Sequence, residues 1–282
     1  MHLIVHAAVD NDEGIETALA TLRDRQISNL TIWRGAYTSG EMWQRRQELQ
    51  VQLADRYDWI VSADVDELHE YPLEIYSLAN WCEARDIRCV QGPFVDRVAS
   101  DGQLRPVMSN LPLGQQFPLQ LDVACTVRQK AGSDDIAGTI KMMMFRSDLL
   151  PGLGGHSPPE RIAPAQFLLG RAFHGFRLCA NSQFRFASPV LVHHYKWHAA
   201  LLASARRRLS TVGVSKGGKR YTLQLLDYLD GEERLNLTAL PRRNRFIQER
   251  VGWHLRVRAF RAFAKAQQMP QFAKRQFWKL YE

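Results

Sequence analysis

The sequence contains no apolar run approaching the roughly 20 residues that a membrane-spanning helix needs, and its first residues lack the basic-then-apolar order of a secretory leader. The first expectation is therefore a cytoplasmic protein. Cysteine is scarce: the four residues Cys82, Cys89, Cys125 and Cys179 form no C-x-x-C pair, so neither a zinc site nor a disulfide framework is indicated. Ordinary buried or half-buried thiols are expected instead. No internal repeat is visible, which sets aside a solenoid.

What is present is enough apolar material for a sizeable core, 45% of 282 residues, and a net charge of +8 that is unevenly placed. Residues 241–282 hold eleven Lys and Arg against two Glu, a charge of +9, so residues 1–240 sum to −1. A near-neutral body is not the profile of a protein that grips nucleic acid with its main domain, and no nucleic-acid partner is expected. The break at Leu240-Pro241 divides the chain into a domain over 1–240 and a basic, aromatic helical tail over 241–282.

Along the chain, Leu3 to Val9 reads as a strand, the region near Ile15 to Arg25 as a helix, and Leu30-Thr31-Ile32-Trp33 as a second strand. A helix is expected from about Gly40 to Arg56, and a third strand begins at Trp59. This β-α-β-α-β alternation predicts an α/β fold with a mostly parallel, Rossmann-like sheet and helices on both faces. Gly92 to Ser133 reads as loops and short strands, Thr139 to Phe145 as a buried strand with Met142-Met143-Met144 as core filling, and Pro151 to Pro159 as a loop holding His156. A helix near Pro164 to Ala172, a strand at Pro189 to Val192 and helix from Ala199 onward complete the expectation.

The most informative stretch is Asp58-Trp59-Ile60-Val61-Ser62-Ala63-Asp64-Val65-Asp66-Glu67-Leu68, an apolar strand that ends in three carboxylates. Two Asp one residue apart at a strand end can turn toward one hard cation, and a divalent ion with open positions is a usual holder of a diphosphate. For a bare D-x-D a solvated acidic turn is the more frequent reading, and the context of the rest of the chain shifts the balance. Further along lie Gly92-Pro93-Phe94-Val95-Asp96-Arg97-Val98 with Asp101-Gly102, Gln116-Phe117-Pro118, Gly154-Gly155-His156, and Val190-Leu191-Val192-His193-His194-Tyr195-Lys196-Trp197.

In that order these blocks resemble those of bacterial glycosyltransferases related to families 2 and 92, which have the GT-A fold, over roughly residues 2 to 210. The resemblance implies transfer of a sugar from a nucleotide-sugar donor (a UDP- or GDP-sugar) to the hydroxyl of a glycan or lipid-linked saccharide, in polysaccharide biosynthesis. It implies Mn²⁺ or Mg²⁺ on Asp64 and Asp66, with Glu67 in a supporting role. His194 is the favoured third ligand and His156 its competitor. Adjacent residues leaving a strand face opposite ways, so at most one of His193 and His194 reaches such a site. Asp10 and Asp12 are candidates for the ribose or base, or for an Asx-type turn. Lys196 is a candidate phosphate contact or a snorkelling surface lysine. An inverting enzyme needs a carboxylate base; Asp96 is preferred among Asp96, Asp122, Asp134, Asp135 and Glu160, with an Asp-Arg structural pair as the alternative. Arg206-Arg207-Arg208 and Lys216-Gly217-Gly218-Lys219-Arg220 flank a segment that reads as a diphosphate-closing loop or as a solvated one. Relatives carry one more strand and helix before the strand ending in Val9-Asp10-Asn11-Asp12. Either the start is truncated or the nucleotide pocket is built differently.

In the tail, aromatic residues such as Phe246, Trp253, Phe260 and Trp278 alternate with Arg and Lys at spacings near three and four. Such a stripe suits a helix lying on the inner membrane face, and equally one docked on the catalytic domain or a second subunit. Two rival functions remain open on sequence alone. One is a metal-dependent phosphoryl-transfer or hydrolytic enzyme. The other is a membrane- or nucleic-acid-binding module that uses the tail.

Overall fold

The computed structural model describes residues 1–7, 12–130, 137–156, 167–168, 190–211, 214, 216–229, 233–238, 240, 258–259, 262 and 266. The chain is α/β. A parallel pair, β1 (Leu3–Ala7) and β2 (Leu30–Arg34), is joined through α1 (Asp12–Asp24). Ala7, Ile15 and Leu19 bury the apolar side of α1 against this pair. Helix α2 (Ser39–Ala54) follows, and then β3 (Trp59–Val61) leads into the acidic turn.

Helix α2 begins where the sequence supplies a cap. The Thr38 hydroxyl accepts from the Glu41 N–H at 3.1 Å, and Glu41 stands in the first turn, where its charge suits the helix dipole. Its inner face is unusual because it is largely polar. Trp43, Arg46, Gln47 and Gln50 recur at helical spacing. Gln47 donates to the Pro151 carbonyl at 3.1 Å, and Gln50 to those of Ser147 at 2.8 Å and Leu149 at 2.6 Å. These amides satisfy carbonyls of the buried residues Ser147, Leu149 and Pro151 in the loop after β7. Arg46, on the same face, reaches the acidic turn.

The larger sheet runs β3, β7 (Ile140–Arg146), β5 (Cys89–Val98), β9 (Leu191–His194), β4 (Glu67–Glu70). β6 (Leu119–Leu121) and β8 (Phe167–Leu168) also pair with β5. The sheet is mixed. β3–β7, β5–β7, β5–β6 and β4–β9 are antiparallel, whereas only β5–β8 and β5–β9 are parallel. The mostly parallel sheet expected from the N-terminal alternation is thus corrected: that pattern holds for β1 and β2, which form their own parallel pair, and not for the sheet that carries the acidic turn.

β5 is the organising strand. All ten of its residues are buried, as expected for a strand covered on both faces. Two sequence expectations bear on this strand. Gly92 and Pro93 read as loop punctuation, yet they lie inside β5. A side chain at Gly92 would stand 2.3 Å from Met143 Sδ and 3.1 Å from the Val190 carbonyl, so glycine is what allows neighbouring backbones to close in. The helix expected near Pro164 to Ala172 is contradicted at its only described residues, Phe167 and Leu168, which add to β5 as β8. The Met142-Met143-Met144 run of β7 is wholly buried.

The remaining helices are α3 (Ile75–Glu83), α4 (Leu113–Gln116), α5 (Val123–Lys130), α6 (Ala200–Ser210) and α7 (Lys216–Leu226). Val123 and Val127 of α5, Leu201 of α6 and Leu225 of α7 pack together with Trp197 and Val98 in a second core. Beyond Leu240 only Arg258, Ala259, Ala262 and Ala266 are described. All four are helical, and burial runs from exposed Arg258 and Ala259 to Ala266 at 1% exposure. The proposed boundary and the rest of the tail, including its aromatic stripe, lie outside the described residues. No helix among the described residues is long and apolar enough to cross a membrane.

Candidate functional site

The turn after β3 closes on itself. Glu67 N–H donates to the Asp64 carbonyl at 3.0 Å, and Asp64 N–H donates to Glu67 Oε2 at 3.0 Å. Val65 at the apex is fully exposed, while Glu67 is drawn inside. Opposite it stands Lys141, the one fully buried charge of β7. Its side chain is 0% exposed, and Nζ lies 2.9 Å from Asp64 Oδ2 and 3.0 Å from Glu67 Oε1. Arg46 donates to Asp64 Oδ1, and its guanidinium carbon stands 5.0 Å over the Trp43 ring. Burial alone would raise the Asp64 pKa, but Lys141 and Arg46 together hold its carboxyl far below the usual range.

Asp66 turns to a different partner. Its Oδ2 lies 3.5 Å from His194 Nε2, and His194 Nδ1 lies 3.2 Å from Asp96 Oδ1. Sheet register produces this line of three. His194 stands opposite Asp96 across β5–β9 and opposite Glu67, next to Asp66, across β9–β4. The alternation rule also holds, because His193 faces away to Glu70 Oε2 at 3.1 Å. Burial would push His194 toward its neutral form, but hydrogen bonds and charge from Asp66 and Asp96 outweigh it and lift the imidazole to about 9. Both ring nitrogens then carry protons at neutral pH and both donate.

Asp96 is 0% exposed. Besides His194, its carboxylate accepts from Trp197 Nε1 at 3.0 Å and from the Ala124 N–H at 2.7 Å. Burial would raise its pKa. The His194 bond and charge, followed by the Ala124 and Trp197 bonds, bring it below the ordinary value. Sealed in this way, Asp96 has no surface to offer a substrate, and the geometry makes it a positioning residue for His194 rather than the expected base. Its neighbour Arg97 does not pair with it but donates from Nε to the Phe117 carbonyl at 3.0 Å.

The other expected residues fall as follows. His156 shares a hydrogen bond of 2.9 Å with the Ile140 carbonyl through Nδ1, and packs edge-on to Phe94 with ring centroids 5.8 Å apart. Phe94 also lies 4.7 Å from the His194 ring. Lys196 sets its ammonium 4.8 Å from the Tyr221 ring centroid on α7, a cation–π contact. Asp10 lies outside the described residues, as does the side chain of Asp12, whose backbone opens α1. Lys141, Arg46 and Trp197 were not anticipated. The signal for Lys141 was present in the sequence: a lysine inside an apolar strand has to be paired with a carboxylate somewhere in the fold.

A resident Mn²⁺ or Mg²⁺ requires lone pairs that converge on one point. Here both oxygens of Asp64 accept from cationic side chains, and Asp66 Oδ2 faces an imidazolium. Among the described residues, no three or more His, Cys, Asp or Glu side chains are grouped to hold a metal ion. The donor set, as arranged, does not fit the ion.

The His194 pair carries a pH signature. A group whose pKa is raised on folding stabilises the fold fully below its unfolded value, about 6.5, and loses that contribution as pH climbs through its folded value. Between about 6.5 and about 9 the native chain should therefore lose on the order of 3 kcal/mol. Urea denaturation across that range, compared with His194→Gln, should show the excess loss only in the native chain. Parallel curves would refute the paired imidazolium. Comparison of the chain with family models, curated proteins and solved structures returned no match in any of the three.

Proposed function

We propose that the chain is a GT-A-like glycosyltransferase that moves a sugar from a UDP- or GDP-sugar to a hydroxyl of a glycan or lipid-linked saccharide. One observation carries the proposal. Four sequence blocks far apart in the chain meet at one place: Asp64–Glu67 from the acidic block, Phe94 and Asp96 from β5, Gly155 and His156 from the loop after β7, and His194 with Trp197 from the last block. His194 touches Asp66 and Asp96, Phe94 packs on both His194 and His156, and Gly155 closes against Trp43 beside Lys141. Blocks that serve only separate stretches of core have no reason to converge on charged residues.

In the transfer, a bond forms from the acceptor oxygen to the anomeric carbon as the bond from that carbon to phosphate breaks. The electron pair leaves with the nucleoside diphosphate, and the acceptor's proton passes to a carboxylate. With Asp96 sealed and Asp64 held by Lys141 and Arg46, Asp66, its side chain 34% exposed, is the carboxylate assigned to the acceptor. Arg46, with a side chain 25% exposed, is the cation best able to meet departing phosphate charge.

The test is a thermal-shift screen of nucleoside diphosphates and nucleotide sugars. A ligand present at about a hundred times its dissociation constant stabilises the fold by about 2.7 kcal/mol. A uridine or guanosine ligand should raise Tm in the native chain and fail to do so in Arg46→Gln, which removes the cation assigned to the diphosphate. Phosphatase or nuclease turnover without any sugar-nucleotide shift would refute the proposal.

A further inference from the structure

We infer that this acidic loop works without a divalent cation, because Lys141 is built into it as a permanent counter-ion. The inference rests on the transferase proposal only for the nucleotide arm of its test.

Three independent features lead to it. The first is charge. Asp64 and Glu67 share one ammonium, Asp64 also holds a guanidinium, and Asp66 faces His194. A divalent ion gains most from carboxylates that no protein cation has already neutralised. The second is confinement. Lys141 is wholly buried, and a side chain at Gly155 would lie 3.6 Å from its Cε and 2.8 Å from the Trp43 ring, so the lysine is walled in behind Gly155 and Trp43. An incoming ion would have to expel the ammonium from Asp64 and Glu67, and a buried ammonium left without carboxylates is very costly. The third is the shape of the loop. Glu67 accepts the Asp64 N–H on one oxygen and Lys141 on the other, so the same carboxylate fixes both the turn and the lysine. Releasing it for a metal would undo the turn that presents Asp64 and Asp66.

The experiment titrates Mn²⁺ into the native chain and reads the free hexaaqua ion by electron paramagnetic resonance. It then measures UDP and GDP binding by calorimetry, once in chelator and once with Mn²⁺. The free-ion signal should be undiminished by the native chain. In Lys141→Gln, which leaves Asp64 and Glu67 without their ammonium, Mn²⁺ affinity should rise on the order of tenfold or more. Nucleotide should bind equally well in chelator. Loss of the free-ion signal in the native chain, abolished by Asp64→Asn, overturns the inference. So does a folded Lys141→Gln that takes up no more Mn²⁺ than the native chain. If Lys141→Gln shows no cooperative melt, the native titration decides alone. Nucleotide binding that requires Mn²⁺ overturns the inference and supports the transferase proposal. Absence of nucleotide binding in both conditions counts against the transferase proposal and leaves the Mn²⁺ titration to decide the inference.

Discussion

Replacing Asp96 with alanine should destabilise the fold by about 3 to 5 kcal/mol. The expected size follows from what the change strands. Asp96 is 0% exposed and answers three donors at once, His194 Nδ1, Trp197 Nε1 and the Ala124 N–H. Without it an imidazolium keeps only Asp66, while an indole N–H and a backbone amide in the first turn of α5 lose their acceptor. A buried donor left unmade costs about 1 to 3 kcal/mol, and a buried charge left unpaired costs more. Asp96→Asn separates the two contributions. The amide oxygen can still accept from Trp197 or Ala124, so the loss should be smaller than for alanine, while His194 should titrate well below about 9 because half of its anionic support is gone. Equilibrium urea unfolding gives the first quantity and proton NMR of the imidazole the second. An alanine variant within about 1 kcal/mol of the native chain would mean that the Asp96 cluster is not formed.

The same residues show where sequence reasoning reaches and where it stops. The first half of the α/β pattern was legible because it is local. Thr38 with Glu41 announces α2, Ile15 and Leu19 mark the buried side of α1, and an apolar run ending in carboxylates announces β3 and its turn. Strand order was not legible, because β7 enters between β3 and β5 through pairings that span more than 50 residues of chain, such as Ile60 with Phe145 and Val90 with Met144. A local period gives a strand its faces but not its neighbours.

Asp96 was found for its place in a matched segment, and spacing could not report that its carboxylate is buried. Asp96 and Arg97 look like a pair in sequence, but alternation along β5 sends one to His194 and the other to the Phe117 carbonyl. His194, expected as a metal ligand, lies against Asp66 and Asp96. What it does there depends on two carboxylates, one beside it in β5 and one at the edge of β4, and only the sheet register brings them to it. Lys141 went unread for the opposite reason: the apolar run around it reads as core filling, and nothing local points to Glu67 as its partner.

That partnership gives the second large effect. Lys141→Met should cost about 3 to 5 kcal/mol near neutral pH, even though methionine is an unbranched side chain that fits the same channel past Gly155 and Trp43. Packing is nearly conserved, so the loss measures charge. Asp64 keeps Arg46, but Glu67, with a side chain 2% exposed, loses its only ammonium and retains the Asp64 N–H at 3.0 Å and His69 Nε2 at 3.5 Å. Glu67→Gln alone should be milder, because Lys141 still holds Asp64 at 2.9 Å. The decisive species is the double variant. With both charges gone, the buried pair becomes a thioether beside an amide that can still accept the Asp64 N–H, and stability should return to within about 1 to 2 kcal/mol of the native chain. The two single losses would then exceed the double loss by a coupling energy of about 2 kcal/mol or more, as expected for residues in direct contact. Simple additivity in chemical denaturation would show that Lys141 and Glu67 do not meet, and with that contact would go the case for a loop that carries its own cation.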